Sequence, residues 1–167
     1  MPQAQIMPFT PIHLGPGAVF KAMGGRHFSF MVFGGTQALM DIEPLIGLLR
    51  GADVLHGYTH TLLGALVIGT MAGLIGKPIS AFVLKYLQIP HYPLTWLASF
   101  LGAYLGAFSH ILFDSIMHSE MAPWWPIASG NRLLGLMSLE ALHGSCAMAA
   151  VIGAVVCMLY YCVRGRI

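Results

Sequence analysis

Apolar residues run along this chain in long blocks, and four of the blocks approach the ~20 residues needed to cross the hydrocarbon core of a bilayer. They cover residues 28 to 49, 60 to 76, 94 to 117 and 144 to 163. A shorter helical stretch, residues 12 to 23, precedes them and closes on Gly24, Gly25 and Arg26 as a turn. It is too brief to span and reads as a re-entrant or interfacial helix. Lys77, Pro78 and the IPHYP run (89 to 93) punctuate a semi-polar connection, with a short helix of its own, between the second and third blocks. Glu43 precedes Pro44, which disfavours the α region at Glu43 and predicts a helix break there. The pattern predicts an all-α membrane protein. One domain, residues 1 to 167, holds a bundle of about four transmembrane helices plus the short N-terminal helix.

Composition agrees with that picture. Of 167 residues, 57% are hydrophobic and 8% charged, too little polar surface to cover a soluble core of this size. The net charge of +2 gives no reason to expect a nucleic-acid partner; the expected partner is the lipid bilayer. The segment before residue 18 has no basic leader followed by an apolar run and reads as no signal peptide. Lys21, Arg26, Lys77, Lys85, Arg164 and Arg166 fall at one end of the bundle, and Arg50 and Arg132 at the other. By the distribution of positive charge the first end is cytoplasmic. Tyr58, Trp124 and Trp125 then mark the outer interface, and a bacterial inner membrane is the expected location.

The eight histidines equal the eight Lys and Arg together, which directs attention to a specific use of imidazole. Under this topology the polar residues inside apolar sequence share one depth. Asp41 and Glu43 lie near the outer end of the first block, and His56 and His60 at the start of the second. His110, Asp114 and His118 lie at the outer end of the third, Glu140 and His143 enter with the fourth, and His13 reaches the same layer. His110, Asp114 and His118 are spaced four apart and predict one helical stripe about 12 Å long. That is too long for a single ion to bind all three, so the stripe suits two ions, or one ion and an outer partner. HGYTH (56 to 60) repeats the spacing on a neighbouring helix. GTMAG (69 to 73) and GAYLG (102 to 106) predict close approach of the second and third spans.

A carboxylate at the centre of a spanning helix costs roughly 2.5–3.5 kcal/mol on insertion scales. Asp41, Glu43, Asp114 and Glu140 have only Arg50 and Arg132 as basic residues at their end. Bound cations are the economical explanation. The metal candidates are His13, Asp41, His56, His60, His110, Asp114 and His118, with Glu43 and His143 as proton shuttles. Mixed imidazole and carboxylate ligands suit one or two divalent ions, zinc first and manganese or iron as alternatives. Such a centre activates water for attack on a phosphoester or ester, a lipid or lipid-linked substrate reached from the membrane interface. Two other classes stay open, a metal-ion or proton transporter and a haem-binding protein using His60 and His110 as axial ligands. An interhelical hydrogen-bond network is the plain alternative to any of them.

MPFTPIHLGPG (7 to 17), HGYTHTLLGA (56 to 65), SHILFDSIMHSEMAPWWP (109 to 126) and LLGLMSLEALHGSC (133 to 146) resemble a group of small bacterial integral-membrane proteins. GYTHT and SHILFD are similar to the G-x-T-H-S and S-H-x-x-x-D signatures of the membrane-bound predicted metal-dependent hydrolases, and MDIEP to their acidic element. The resemblance runs from Met7 to about Cys146. It implies a hydrolase-type metal site at His13, Asp41, His56, His60, His110 and Asp114. His56 stands where that family has an arginine, and Glu43 and Pro44 replace an Asp and a His of its acidic element.

Overall fold

A computed structural model of the chain describes residues 11–89 and 93–163, and among them every regular element is helical. The helices are α1 (Gly15–Gly24), α2 (Phe30–Met40), α3 (Ile42–Arg50), α4 (Leu62–Tyr86), α5 (Trp96–Met117) and α6 (Leu139–Val163). Single 3-10 turns at Pro11–Leu14, Gly25–His27 and Tyr58–His60 complete them. Arg164 and Arg166, two of the six basic residues expected at the cytoplasmic end, lie outside the described residues, as do His91 and Tyr92 of the IPHYP run.

Three helices, α4, α5 and α6, are long and apolar enough to cross a membrane, as an integral membrane protein requires. At 1.5 Å per residue their 22 to 25 residues cover roughly 33–38 Å, against a hydrocarbon core of ~30 Å. The predicted first span is two helices instead of one. Eleven residues of α2 reach only about 17 Å, and the chain turns at Asp41 before α3 begins. The break follows from Pro44, which has no N–H to offer the Met40 carbonyl and whose ring would clash with it. Glu43, expected outside the α region, instead lies in the first turn of α3, where Pro44 is tolerated. The second span is longer than predicted. Helix α4 runs through Lys77 and Pro78 to Tyr86, where a semi-polar connection was expected.

Helix α5 is the hub, packing against both α4 and α2, while α1 lies along α6. The apolar window of α5 is 44% buried, against 22% for α4 and 17% for α6, so the last two present most of their surface outward. The two glycine pairs work differently from expectation. Gly69 and Gly73 receive the rings of Tyr104 and Phe100 from α5, bringing the second and third spans together. Gly102 and Gly106 turn to α2, where a Cβ would lie 2.5 Å from the Ser29 carbonyl oxygen and 2.8 Å from that of Phe33. The rings of Phe20, Phe28 and Phe33 join α1 to α2, with centroids 5.6–5.9 Å apart.

The two ends of the bundle are distinct. At one, Lys21 donates to the carbonyls of Gly25 and Phe28, Ser29 N–H bonds the Ala98 carbonyl, and Lys77 lies 4.5 Å from the Trp96 ring. At the other, Thr61 caps α4 by accepting from Gly64 N–H at 2.9 Å, which fixes the chain direction just after His60. Met40, Ala65, Ala107, Ile111 and Met121 form a buried apolar cluster at this second end.

Candidate metal centre

Asp114, one turn before the end of α5, is 4% exposed and draws histidines from four stretches of chain. His110 comes from the preceding turn of α5, with Nε2 3.0 Å from Asp114 Oδ2. His60, closing the Tyr58–His60 turn, places Nε2 3.6 Å from the same oxygen. His56, from the loop before that turn, places Nε2 at 4.0 Å. His13, in the Pro11–Leu14 turn, directs Nδ1 at the other carboxylate oxygen, 3.6 Å away. Asp41, at the α2–α3 break, sets Oδ1 3.4 Å from His110 Nε2.

The outer nitrogens of three of these rings are already engaged. Gln37 donates from its amide nitrogen to the His13 carbonyl, so its amide oxygen faces His110 Nδ1 at 3.0 Å and accepts that proton. His60 Nδ1 lies 3.3 Å from Glu43 Oε2, and His56 Nδ1 lies 2.8 Å from Glu120 Oε1. A proton on each Nδ1 leaves each Nε2 as a bare lone pair facing Asp114. This is the arrangement by which outer acceptors fix the tautomer of metal-bound imidazoles.

Among the described residues, most of the inner nitrogens have no hydrogen-bond partner. Nε2 of His60, Nε2 of His110 and both ring nitrogens of His13 are buried without a hydrogen-bond partner. Leaving such an atom unpaired costs about 1–3 kcal/mol each. The spacing explains what they fit. Donors ~2.0–2.1 Å from a tetrahedral ion lie about 3.3–3.4 Å from one another, and the 3.0–4.0 Å separations here bracket that value. Straight N–H···O hydrogen bonds, about 2.7–3.2 Å long, would be shorter than the 3.6 and 4.0 Å from His60 and His56. The donor atoms of His56, His60 and Asp114 all lie within 4.8 Å of one another. His110 comes closer to Asp114 than His56 does, from within the same helix.

Glu43 is positioned by its surroundings. Its Oε2 accepts from the backbone N–H groups of Gly57 and Thr59, from the Thr59 hydroxyl and from His60. A Cβ at position 57 would stand 2.6 Å from Glu43 Oε1, so glycine makes room for the carboxylate. The side chain remains 31% exposed, which keeps it in touch with solvent.

His118 leaves the predicted stripe. Helix α5 ends at Met117, and His118 caps it in an extended conformation. Its ring stacks on His56 with centroids 4.1 Å apart, and its Nδ1 lies 4.0 Å from Glu120 Oε1. His56, His118 and Glu120 thus form a second, more accessible donor group sharing His56 with the first. The HGYTH histidines also meet without the predicted helix, because His56 lies in a loop and His60 in a 3-10 turn. Their ring centroids are 4.8 Å apart.

Burial, followed by repulsion from His60, holds His56 below the usual imidazole range. Burial pushes Glu120 up, but the hydrogen bonds from His56 and from its own backbone, with the nearby His56 and His118, together bring the carboxyl below its ordinary value. The pair is therefore a neutral imidazole donating to a carboxylate at neutral pH.

Two expected members stand apart. Glu140 is exposed in the first turn of α6. His143 is half-buried on α6 and makes no hydrogen bond among the described residues, although it is near enough to His13 to interact electrostatically. Sequence reasoning passed over Gln37, whose signal was a polar amide one helical turn before Asp41. Glu120 is likewise absent from the candidates, although its carboxylate is tied to His56. Comparison with models of known protein families, with curated proteins and with solved structures found no match.

Proposed function

We propose that this protein is a membrane-embedded metal-dependent hydrolase acting on a phosphoester or ester at the membrane interface. One observation carries the reading. Three imidazoles, each held on its outer side by Gln37, Glu43 or Glu120, aim Nε2 at a single buried carboxylate. Two histidines and a carboxylate, with a position left for water or substrate, are the ligand set of many catalytic zinc sites. His56, His60 and Asp114 would hold the first ion, with His110, Asp41 and His13 enclosing the carboxylate. A divalent ion held there would supply an acidified water, with a pKa toward ~7, and polarisation of the substrate oxygen.

The chain supplies the rest. The water oxygen forms a new bond to phosphorus or carbon as the P–O or C–O ester bond breaks, and the proton the water gives up passes to the departing alkoxide, which leaves as an alcohol. Glu43 is the proton carrier, since it is part-exposed and hydrogen-bonded to His60. His118 and Glu120 line the open edge of the site, so substrate enters past them. The charge pattern and the aromatic residues favour the outer face of a bacterial inner membrane for this end.

Elemental analysis of the purified protein tests the reading directly. At least one equivalent of zinc, manganese or iron is expected at neutral pH, lost in Asp114→Ala and His60→Ala. Wild-type protein free of stoichiometric transition metal, and inert toward a phosphomonoester and carboxylester panel after reconstitution, would sink it.

A further inference from the structure

Next to the candidate metal centre, a groove of about 540 Å³ opens between the first turns of α4 and the loop that follows α5. That volume falls within the ~300–1,000 Å³ of typical small-molecule sites. Leu62, Leu63 and Leu66 form one wall, and Trp124, Trp125 and Arg132 stand among the residues of the other. Leu63 and Leu66 are half exposed on a helix long enough to span, so the groove opens on the apolar surface of the bundle. Trp124 and Trp125 are themselves 40% and 44% exposed, as rings that settle at the level of lipid headgroups are.

The groove is built into the same loops as the metal ligands. Leu62 lies two residues after His60, and its N–H bonds the Pro123 carbonyl at 2.9 Å, tying the walls together. The Tyr58 ring packs 5.0 Å from that of Trp125. Asn131 donates to the carbonyls of Ser115 and His118 at 2.6 and 3.1 Å, which fastens its neighbour Arg132 beside the end of α5 that carries Asp114. Arg132 is the only cation lining the groove and pairs with no carboxylate among the described residues.

We propose that this groove binds an anionic phospholipid, its acyl chain along the leucines and its phosphate on Arg132. The apolar walls face lipid, and the single cation sits where a headgroup would meet it. The inference rests on the hydrolase reading in naming this lipid as the substrate class, because the groove delivers a phosphoester to the open edge of the metal centre. Guanidinium suits that role, since its fork of N–H donors matches phosphate oxygens in pairs.

The test uses full-length protein purified from phosphatidylcholine nanodiscs containing phosphatidylglycerol, with retained lipid and bound metal measured on the same sample by mass spectrometry. Wild type should retain phosphatidylglycerol in preference to phosphatidylcholine. Arg132→Gln should lose about tenfold in that preference, the value of one charge-assisted contact. Ala128→Trp, which fills the groove, should retain neither lipid, while both variants keep their metal. Asp114→Ala should lose metal yet hold the lipid, so that failure of the hydrolase reading and failure of this one are separable. Equal retention of both lipids by wild type and Arg132→Gln would overturn the proposal. So would a dimer, in place of lipid, that Ala128→Trp disrupts.

Discussion

The side-chain oxygen of Gln37 accepts the Nδ1 proton of His110 at 3.0 Å, and this contact decides which nitrogen of the imidazole is bare. The direction is fixed from behind, because the Gln37 amide nitrogen is bound to the His13 carbonyl. Gln37→Leu therefore frees the ring to turn or to carry its proton on Nε2. His110 braces the Asp114 carboxylate from the preceding turn, so losing its outer partner should cost about tenfold in metal affinity, the low end of the 10–100-fold typical of such partners. Competition against a fluorescent zinc chelator should show a loss of that size in Gln37→Leu, with helix content by circular dichroism unchanged. Unaltered affinity would mean that the His110 tautomer has no bearing on how Asp114 holds the ion.

Removing metal should loosen the fold itself. Asp41, Asp114 and the unpaired imidazole nitrogens converge with no lysine or arginine paired to either carboxylate among the described residues, so an ion would relieve both repulsion and unmet hydrogen-bonding capacity. A ligand bound only by the folded state stabilises it by about 4 kcal/mol at a thousandfold excess over Kd. Chelation should lower the thermal midpoint in detergent, and added zinc should restore it. In Asp114→Ala neither step should move the midpoint. A chelator-insensitive wild type would assign the cluster to plain packing.

Much of this arrangement is legible in the amino-acid sequence alone, and the reason is energetic. Ionisable side chains are costly inside spanning helices, so Asp41, His60, His110 and Asp114 stand out against apolar neighbours, and they do converge. The helical character and the three long apolar helices are equally plain from block length. What escapes is whatever depends on where a helix stops. Pro44 breaks the first span near Asp41 instead of at Glu43, because the proline acts on the carbonyl four residues back as well as on its neighbour. His118 has the right spacing but leaves the stripe because α5 ends one residue earlier. Gln37 and Glu120 carry no charge pattern or repeat that separates a positioning group from an ordinary polar residue; only tertiary contact reveals them.

The crossing of α2 and α5 makes a prediction independent of metal. Gly102 leaves the Ser29 carbonyl so close that an added methyl would sit 2.5 Å from its oxygen, and backbone cannot step aside as a flexible side chain can. Gly102→Ala should destabilise the protein by about 1–3 kcal/mol, as overpacked interiors do. Thermal scanning should register a lower midpoint, while elemental analysis of the folded protein at low temperature should find the metal intact. Gly35 meets nothing within 4 Å and serves as the matched control, with Gly35→Ala leaving the midpoint close to wild type.

The two donor groups that share His56 can be told apart by substitution. His118 stacks on His56 and lies near Glu120 at the accessible edge, whereas His60 is wholly buried and faces Asp114. If the tight ion sits on the buried side, His118→Ala removes a wall of the entrance and leaves the ligands in place. The expected result is at least one equivalent of metal retained in His118→Ala and, under the proposed hydrolase function, a raised KM toward the phosphoester or ester substrate with kcat changed little. His60→Ala should instead lose the ion and the activity together, because it removes one of three ligands and strands the Glu43 carboxylate behind it. Loss of all metal from His118→Ala would move the primary site outward, onto His56, His118 and Glu120, and leave the buried nitrogens around Asp114 to a structural role.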